Sequence, residues 1–280
     1  MEVIEITQEN INNFGSIMPE DVIESIGRKF YHAIAVIDNS QEVLGCLVWS
    51  YKDVNEESDT EAEIIYISIT DEDSGKELFD CFLREAQAES VRRIFVELGS
   101  DDEELRAFLT SMGFNITEKE SKDIYVNISD LQSIKFLQKR PPSRVYALFD
   151  VSAKEFRQGI MKCIYFGKRG LMEDLSSLPK TWYDPAVSCA VKADDEITGV
   201  LLIHTFPSGD VMPCLLFADE PDAKMNLLDM LRFSAQSVSY QYSEDTRLLI
   251  RRESPTTIGL VKKLFPDKKG ENIYFGELRL

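Results

Sequence analysis

The residues Asp71, Glu72, Asp73, Ser74, Gly75 and Lys76 stand between an apolar run, Ile64 to Ile69, and a segment in which Phe79, Phe82, Leu83 and Ala86 recur at helical spacing. A strand feeding a helix in this way offers backbone N–H groups and the positive end of a helix dipole, which suits an anion such as phosphate. The charges argue against one. Two like unit charges about 4 Å apart repel by about 1 kcal/mol even in water, and Asp71, Glu72, Asp73 and Glu77 are opposed locally only by Lys76. A calcium loop fails on spacing: counted from Asp71, glycine comes at the fifth position instead of the sixth, and the twelfth is Phe82 where a bidentate glutamate is needed. His32 and His204 stand alone on apolar segments without a third ligand. The five cysteines (Cys46, Cys81, Cys163, Cys189 and Cys214) form no C-x-x-C pair, so neither a zinc site nor a disulfide framework is expected. No nucleophile elbow, Walker loop or H-E-x-x-H helix occurs, which removes the commonest hydrolase, nucleotide and zinc-protease signatures.

The elements that must position these residues follow from periodicity. Val3 to Ile6 reads as a strand, and the segments "QENINNF" and "PEDVIESIGRKF" as short helices. "HAIAVID" and "VLGCLVWSY" form a hairpin across Asn39 to Glu42. The strand "IIYISI" leads through the acidic loop into a helix from Gly75 to Ser90; "RIFVEL" is a strand, and "DDEELRAFLTSMGF" a helix with acidic residues in its first turn and Gly113 at its end. Two strands around Lys119 to Lys122 close the first half. The segment Leu137 to Tyr146, basic and carrying Pro141 and Pro142, predicts an extended connector and a domain boundary, with domains 1–137 and 144–280. The second half repeats the order of elements: a strand at "VYALFDV", a helix from Ser152 to Gly170 opened by a Ser152/Glu155 capping box, a hairpin turning at Asp194 to Glu196, then "DVMPCLLFA", a long helix, "TRLLIRR", a helix capped by Ser254, and the strand "NIYFGELRL". Two copies of one mixed α/β (α+β) unit, each a twisted mixed sheet flanked by helices, are expected.

The chain has 280 residues, of which 44% are hydrophobic and 29% charged, which suits two globular cores. No apolar run approaches the roughly 20 residues of a membrane span, and the N-terminal segment is acidic and lacks a secretory pattern. A cytoplasmic protein is expected. Its net charge of −18 is unevenly placed: residues 1–140 hold 30 Asp and Glu against 13 Lys and Arg, whereas the remainder holds 19 against 18. Such a surface offers no basic groove, so nucleic acid is not an expected partner.

The first half resembles the GNAT superfamily of acyl-CoA-dependent N-acyltransferases. The resemblance lies in "EVLGCLVWSY", similar to the family's paired second and third strands, in "AEIIYISITDEDSGKELFDCFLREA", similar to its cofactor motif, and in "LRAFLTSMGFNITEKE", similar to its next helix and the Gly-Phe that follows. Together these cover residues 30–128, and the second half is similar in element order, which implies a tandem GNAT-like architecture. The resemblance implies acetyl-CoA or another acyl-CoA as cosubstrate and an amine acceptor. Ile67 and Ile69 would line the pantetheine arm, and Ser74, Gly75, Lys76, Glu77 and Leu78 would stand where the family's pyrophosphate loop stands. Only Gly75 keeps the family's small residue; Ser74, Glu77 and Phe79 replace its Arg/Gln and later glycines. Glu63 matches a general base, and Leu109 stands where relatives often carry an acidic tyrosine. Asp102 reads as a helix N-terminal acid.

Three readings follow. The protein transfers an acyl group from acyl-CoA to a small-molecule or protein amine; or it is a non-catalytic descendant that binds a ligand or a protein partner in the cleft expected between its two domains; or only the second half binds cofactor, while the acidic first half draws in a cationic amine. For the second half the loop equivalent is Phe217 to Leu228, without glycine, with Lys224, Arg251, Arg252, Lys262 and Lys263 as available cations.

Overall fold

A computed structural model describes residues 1–28, 30–53, 60–166, 178–193, 196–219, 221–252 and 254–280. They form two compact units, Met1–Ser121 with Asn272–Leu280, and Lys122–Glu271.

The first unit comprises β1 (Glu2–Glu5), α1 (Glu20–Ser25), β2 (Tyr31–Ile37), β3 (Val43–Asp53), β4 (Thr60–Ile69), α2 (Glu72–Ala88), β5 (Val91–Leu98), α3 (Glu103–Ser111) and β6 (Asn115–Glu120). The expected hairpin is β2 and β3. The Asp38 carboxylate holds its turn by accepting from the backbone N–H groups of Ser40 and Glu42, each at 2.8 Å. Trp49, Phe79, Phe82 and Leu109 are buried in the core beneath α2 and α3, and Phe14, Met18 and Ile26 form a second cluster with Ala35, Cys46 and Val48. The segment expected as a first short helix is a single 3-10 turn, Ile11–Phe14.

The second unit comprises β7 (Asp123–Asn127), α4 (Ile128–Gln132), β8 (Val145–Ala147), α5 (Ala153–Tyr165), β9 (Cys189–Ala193), β10 (Glu196–Thr205), β11 (Val211–Ala218), α6 (Ala223–Gln241), β12 (Arg247–Arg251) and α7 (Pro255–Leu264); β13 (Asn272–Arg279) follows. The Ser152/Glu155 capping box and the Ser254 cap form as expected. The expected β9–β10 turn at 194–195 lies outside the described residues, as do 167–177, where the helix after Ser152 was expected to end.

Strand pairing departs from the expected division of the chain. The first sheet has the order β1-β2-β3-β4-β5-β13-β6, and the second β7-β12-β11-β10-β9-β8. The final strand therefore belongs to the first unit: β13 lies antiparallel between β5 and β6, with Phe275 opposite both Glu97 and Thr117. Conversely β7, expected to close the first domain, pairs with β12 from Arg247↔Asn127 to Arg251↔Asp123, and Arg251 holds Asp123 with two hydrogen bonds of 2.9 and 3.1 Å. The boundary expected between residues 137 and 144 falls inside the second unit, where Leu137 is buried and its carbonyl accepts from Gln236 Nε2 at 2.9 Å. Hydrogen-bonded edges decided the division, and the two prolines did not.

Candidate functional site

The stretch expected as a loop before α2 is the first turn of the helix itself. Asp71 is its N-cap: one carboxylate oxygen accepts from Ser74 N–H at 2.9 Å, and the Asp71 carbonyl accepts from Gly75 N–H at 3.1 Å. The Ser74 N–H bond to the carboxylate is the foremost cause that holds the Asp71 carboxyl below its ordinary pKa. The helix N-terminus thus already holds an anion, supplied by its own chain. Lys76, the one local cation, reaches Glu72 at 2.6 Å, and that hydrogen bond raises its pKa.

The residues expected to cradle a cofactor here are divided between core and surface. Ser74 and Leu78 are fully buried, Glu77 is exposed, and Ile67 is buried beside a half-buried Ile69. A Cβ on Gly75 would come within 2.9 Å of two ring carbons of Phe108 and 3.2 Å of Ile69 Cδ1. The smallness of Gly75 is therefore used by an aromatic ring from α3. Phe79 meets Phe108 and Phe114 edge to face, with centroids 6.1 and 5.6 Å apart, so three rings fill the region beside the end of β4. Glu63 is half-buried on β4 opposite Ser50 and Phe95. Leu109 is buried in the core. Asp102 stands at the N-terminus of α3, as expected, and its carboxylate accepts from Gly99 N–H at 2.8 Å.

The two sheets share a local irregularity. In the first, β4 opposes β3 with Tyr66 facing Val48 and Ile64 facing Trp49, so Ile65 is an extra, bulged residue. In the second, Leu215 faces Leu202 and Pro213 faces Ile203, so Cys214 is bulged on β11. In each unit the register with the parallel neighbour ends before the bulge. The β4–β5 ladder ends at Ile64↔Val96, and β11 meets β12 in register only at Val211↔Leu248.

The wedge between β11 and β12 opens on a cavity of about 480 Å³, roofed by α6 through Leu227, Leu231 and Ala235 and by α7 through Thr257 and Leu264. Its walls are predominantly apolar, and its polar groups are mostly engaged. Ser254 accepts from Thr257 N–H at 3.1 Å, Ser234 Oγ donates to the Val187 carbonyl at 2.7 Å, and Arg251 is paired with Asp123. At the N-terminus of α6, Asp222 makes no capping bond through its side chain, the first turn carries no acid, and Lys224 is exposed there. Both helices thus begin at an aspartate, but the Asp71 carboxylate caps α2 whereas the Asp222 carboxylate makes no bond to the first-turn N–H groups of α6. The notable sequence signal for this site was Pro213 inside an apolar run: proline cannot donate to a ladder, so within a strand it marks a bulge or an edge.

Both histidines stack on tryptophan rings. His204 Nδ1 lies 2.7 Å from the Trp182 carbonyl with the two rings stacked at 3.5 Å, and His32 stacks on Trp49, its pKa lowered by burial. Among the described residues no group of three or more His, Cys, Asp and Glu side chains is placed to hold a metal, and no helix is long and apolar enough to cross a membrane.

Neither a family model nor a curated protein matches the sequence. Solved structures do. A tandem GNAT protein from the clavulanic acid biosynthesis pathway, solved without acetyl-CoA, is similar over 99% of this chain and 98% of its own, with a TM-score of 0.59 and 10% identity. The GCN5-related glucosamine N-acetyltransferase region of a fungal multi-domain GH3 beta-N-acetylglucosaminidase is similar over 99% of this chain and 38% of its own, with a TM-score of 0.57 and 10% identity. A GCN5-related N-acetyltransferase from Kribbella flavida is similar over all of this chain and 71% of its own, with a TM-score of 0.51 and 12% identity. The architecture is a mixed α/β fold of the GNAT class. More particularly, it is the tandem GNAT fold, with two GNAT-like sheets in one chain, as the sequence resemblance implied.

Proposed function

We propose that this protein is an acyl-CoA-dependent N-acyltransferase whose acyl-CoA site lies in the second unit. The observation that carries the reading is the wedge between β11 and β12, open onto an apolar cavity beneath α6, whose N-cap residue Asp222 makes no side-chain bond to the first-turn N–H groups. In the first unit Asp71 caps the corresponding helix and three phenylalanine rings fill the region beside β4. The donor set fits the cosubstrate: the α6 N-terminus and Lys224 suit a pyrophosphate, the unpaired edge of β11 can hydrogen-bond amide groups of a pantetheine arm, and the bulge at Cys214 frees a backbone group from the ladder. Placed there, a backbone N–H would polarise the thioester carbonyl. The amine nitrogen bonds to that carbon, the C–S bond breaks, and the proton lost by the nitrogen is taken up by the departing thiolate, directly or through water.

No carboxylate, imidazole or phenol stands among the described residues lining the cavity. The acceptor must therefore arrive as a neutral amine or lose its proton to a group outside the cavity, and kcat/KM should rise about tenfold per pH unit below the acceptor's pKa. The excess of acid in the first 140 residues suits a cationic acceptor, whose KM would then increase with salt. The same lining also favours a second reading, a ligand-binding protein without turnover.

Calorimetric titration with acetyl-CoA at low salt tests the assignment. Binding should weaken about three- to tenfold in Lys224→Glu and be unchanged in Lys76→Glu. No heat at millimolar acetyl-CoA would overturn it, and binding without acyl transfer to any of a panel of amines would favour the second reading.

A further inference from the structure

We propose that the cavity of the second unit takes an acyl donor with an unbranched aliphatic chain of about four to eight carbons, the chain lying beyond the Cys214 bulge. The inference rests on the acyl-CoA reading above and adds to it the acyl class.

The cavity is longer than a donor arm requires on the near side of the bulge. Leu227 and Val238, both on its wall, are eleven residues apart on α6, about 16 Å along the axis. Val238 marks the far end, because its carbonyl accepts from Tyr242 N–H and the Tyr242 hydroxyl meets Thr205, the residue opposite Val211. Val211 in turn pairs with Leu248, another wall residue, where β11 and β12 converge. Val211 lies three residues before Cys214, about 10 Å along an extended strand. A donor whose carbonyl sat at Cys214 would thus leave up to about 10 Å of cavity beyond it, between the bulge and the closed end. At about 1.25 Å per bond in a zigzag of 1.52 Å carbon–carbon bonds, that length takes about eight carbons.

The chemistry of this end selects the chain type. Leu131, Leu137, Ala235, Val238 and Leu248 present only hydrocarbon. The hydroxyl of Ser234 is already donated to Val187. A carboxylate or amide at the end of the acyl group would be buried without a partner, which is strongly unfavourable. An alkyl chain meets no such cost.

The test is the dissociation constant of acetyl-, butanoyl-, hexanoyl- and octanoyl-CoA, measured calorimetrically. Each buried methylene should tighten binding about fourfold, so octanoyl-CoA should bind at least about a hundredfold more tightly than acetyl-CoA. Ala235→Phe fills the far end and should reduce that ratio below about tenfold; Leu131→Phe does so from a different wall, and either serves if the other fails to fold. A ratio near one in the wild type, with acetyl-CoA still bound, overturns the aliphatic assignment and leaves the donor site standing. A large ratio unchanged in a folded Ala235→Phe or Leu131→Phe places the chain elsewhere and also overturns it. If no acyl-CoA binds at all, the donor site falls and the chain assignment with it.

Discussion

Replacing Gly75 by alanine separates two uses of the same glycine. If Gly75 is kept for close approach to a ligand, alanine removes binding and stabilises α2 by about 1 kcal/mol through helix propensity. The structure argues otherwise: the new methyl would stand 2.9 Å from two carbons of the Phe108 ring and 3.2 Å from Ile69 Cδ1, in a region where Phe79 and Phe114 already crowd that ring. Overpacking of this kind costs about 1–3 kcal/mol. Set against the propensity gain, the expected result is a net loss of about 1 kcal/mol in urea unfolding. Phe108→Leu, which removes the obstructing ring carbons, should cost about 1–2 kcal/mol alone. In the double variant the two losses should fail to add by about 1–2 kcal/mol, because leucine makes room for the methyl. Acetyl-CoA affinity should be the same in all four proteins. A Gly75→Ala protein more stable than wild type, with no coupling to Phe108, would refute the packing argument; lost acetyl-CoA binding would return the site to the first unit.

Asp71→Ala removes the N-cap of α2 and should destabilise the protein by about 1 kcal/mol in urea unfolding, with Asp71→Asn, which can still accept from Ser74 N–H, losing less. Deleting residues 272–280 leaves β5 and β6 without the strand between them, so the near- and far-UV circular dichroism of the first unit should be lost; a shortened protein with an unchanged spectrum would contradict the observed pairing. Lys192 Nζ lies 2.6 Å from Glu155 Oε1 and, together with Ser152, holds that carboxyl down to about 2. The folded pKa is thus below the ordinary 4.5, so the stabilisation is present above pH 4.5 and disappears as pH falls toward 2. The difference in Tm between wild type and Lys192→Met should therefore be seen at pH 7 and shrink across that window.

The elements and their order were legible in the sequence because local signals carry them. Two apolar runs across a short polar turn marked β2 and β3, capping residues marked α5 and α7, and Phe79, Phe82 and Ala86 marked the buried face of α2. The start of α2 is obscured for a local reason too: Gly75 reads as loop, and the Asp71 side chain that caps the helix four residues earlier competes with that signal. Partner choice among strands is a different kind of information. "NIYFGELRL" has the composition of a strand, yet nothing within it specifies β5 and β6 over β12, since a central strand is chosen by the edges left open elsewhere. The cavity was illegible for the same reason. It depends on where β12 departs from β11, and only Pro213 marked the place.

The placement of β13 has a consequence for synthesis. Arg279 pairs with Arg93, about 190 residues earlier, and closing so long a loop costs about 2 kcal/mol more than closing one of 20 residues. Every residue of the second unit is made before the strand that lies between β5 and β6. The usual order in which an N-terminal domain completes itself first is thereby inverted. The first unit waits on the ribosome with an open seam in its sheet while the second can close, and chaperone contact during translation should concentrate on β5 and β6.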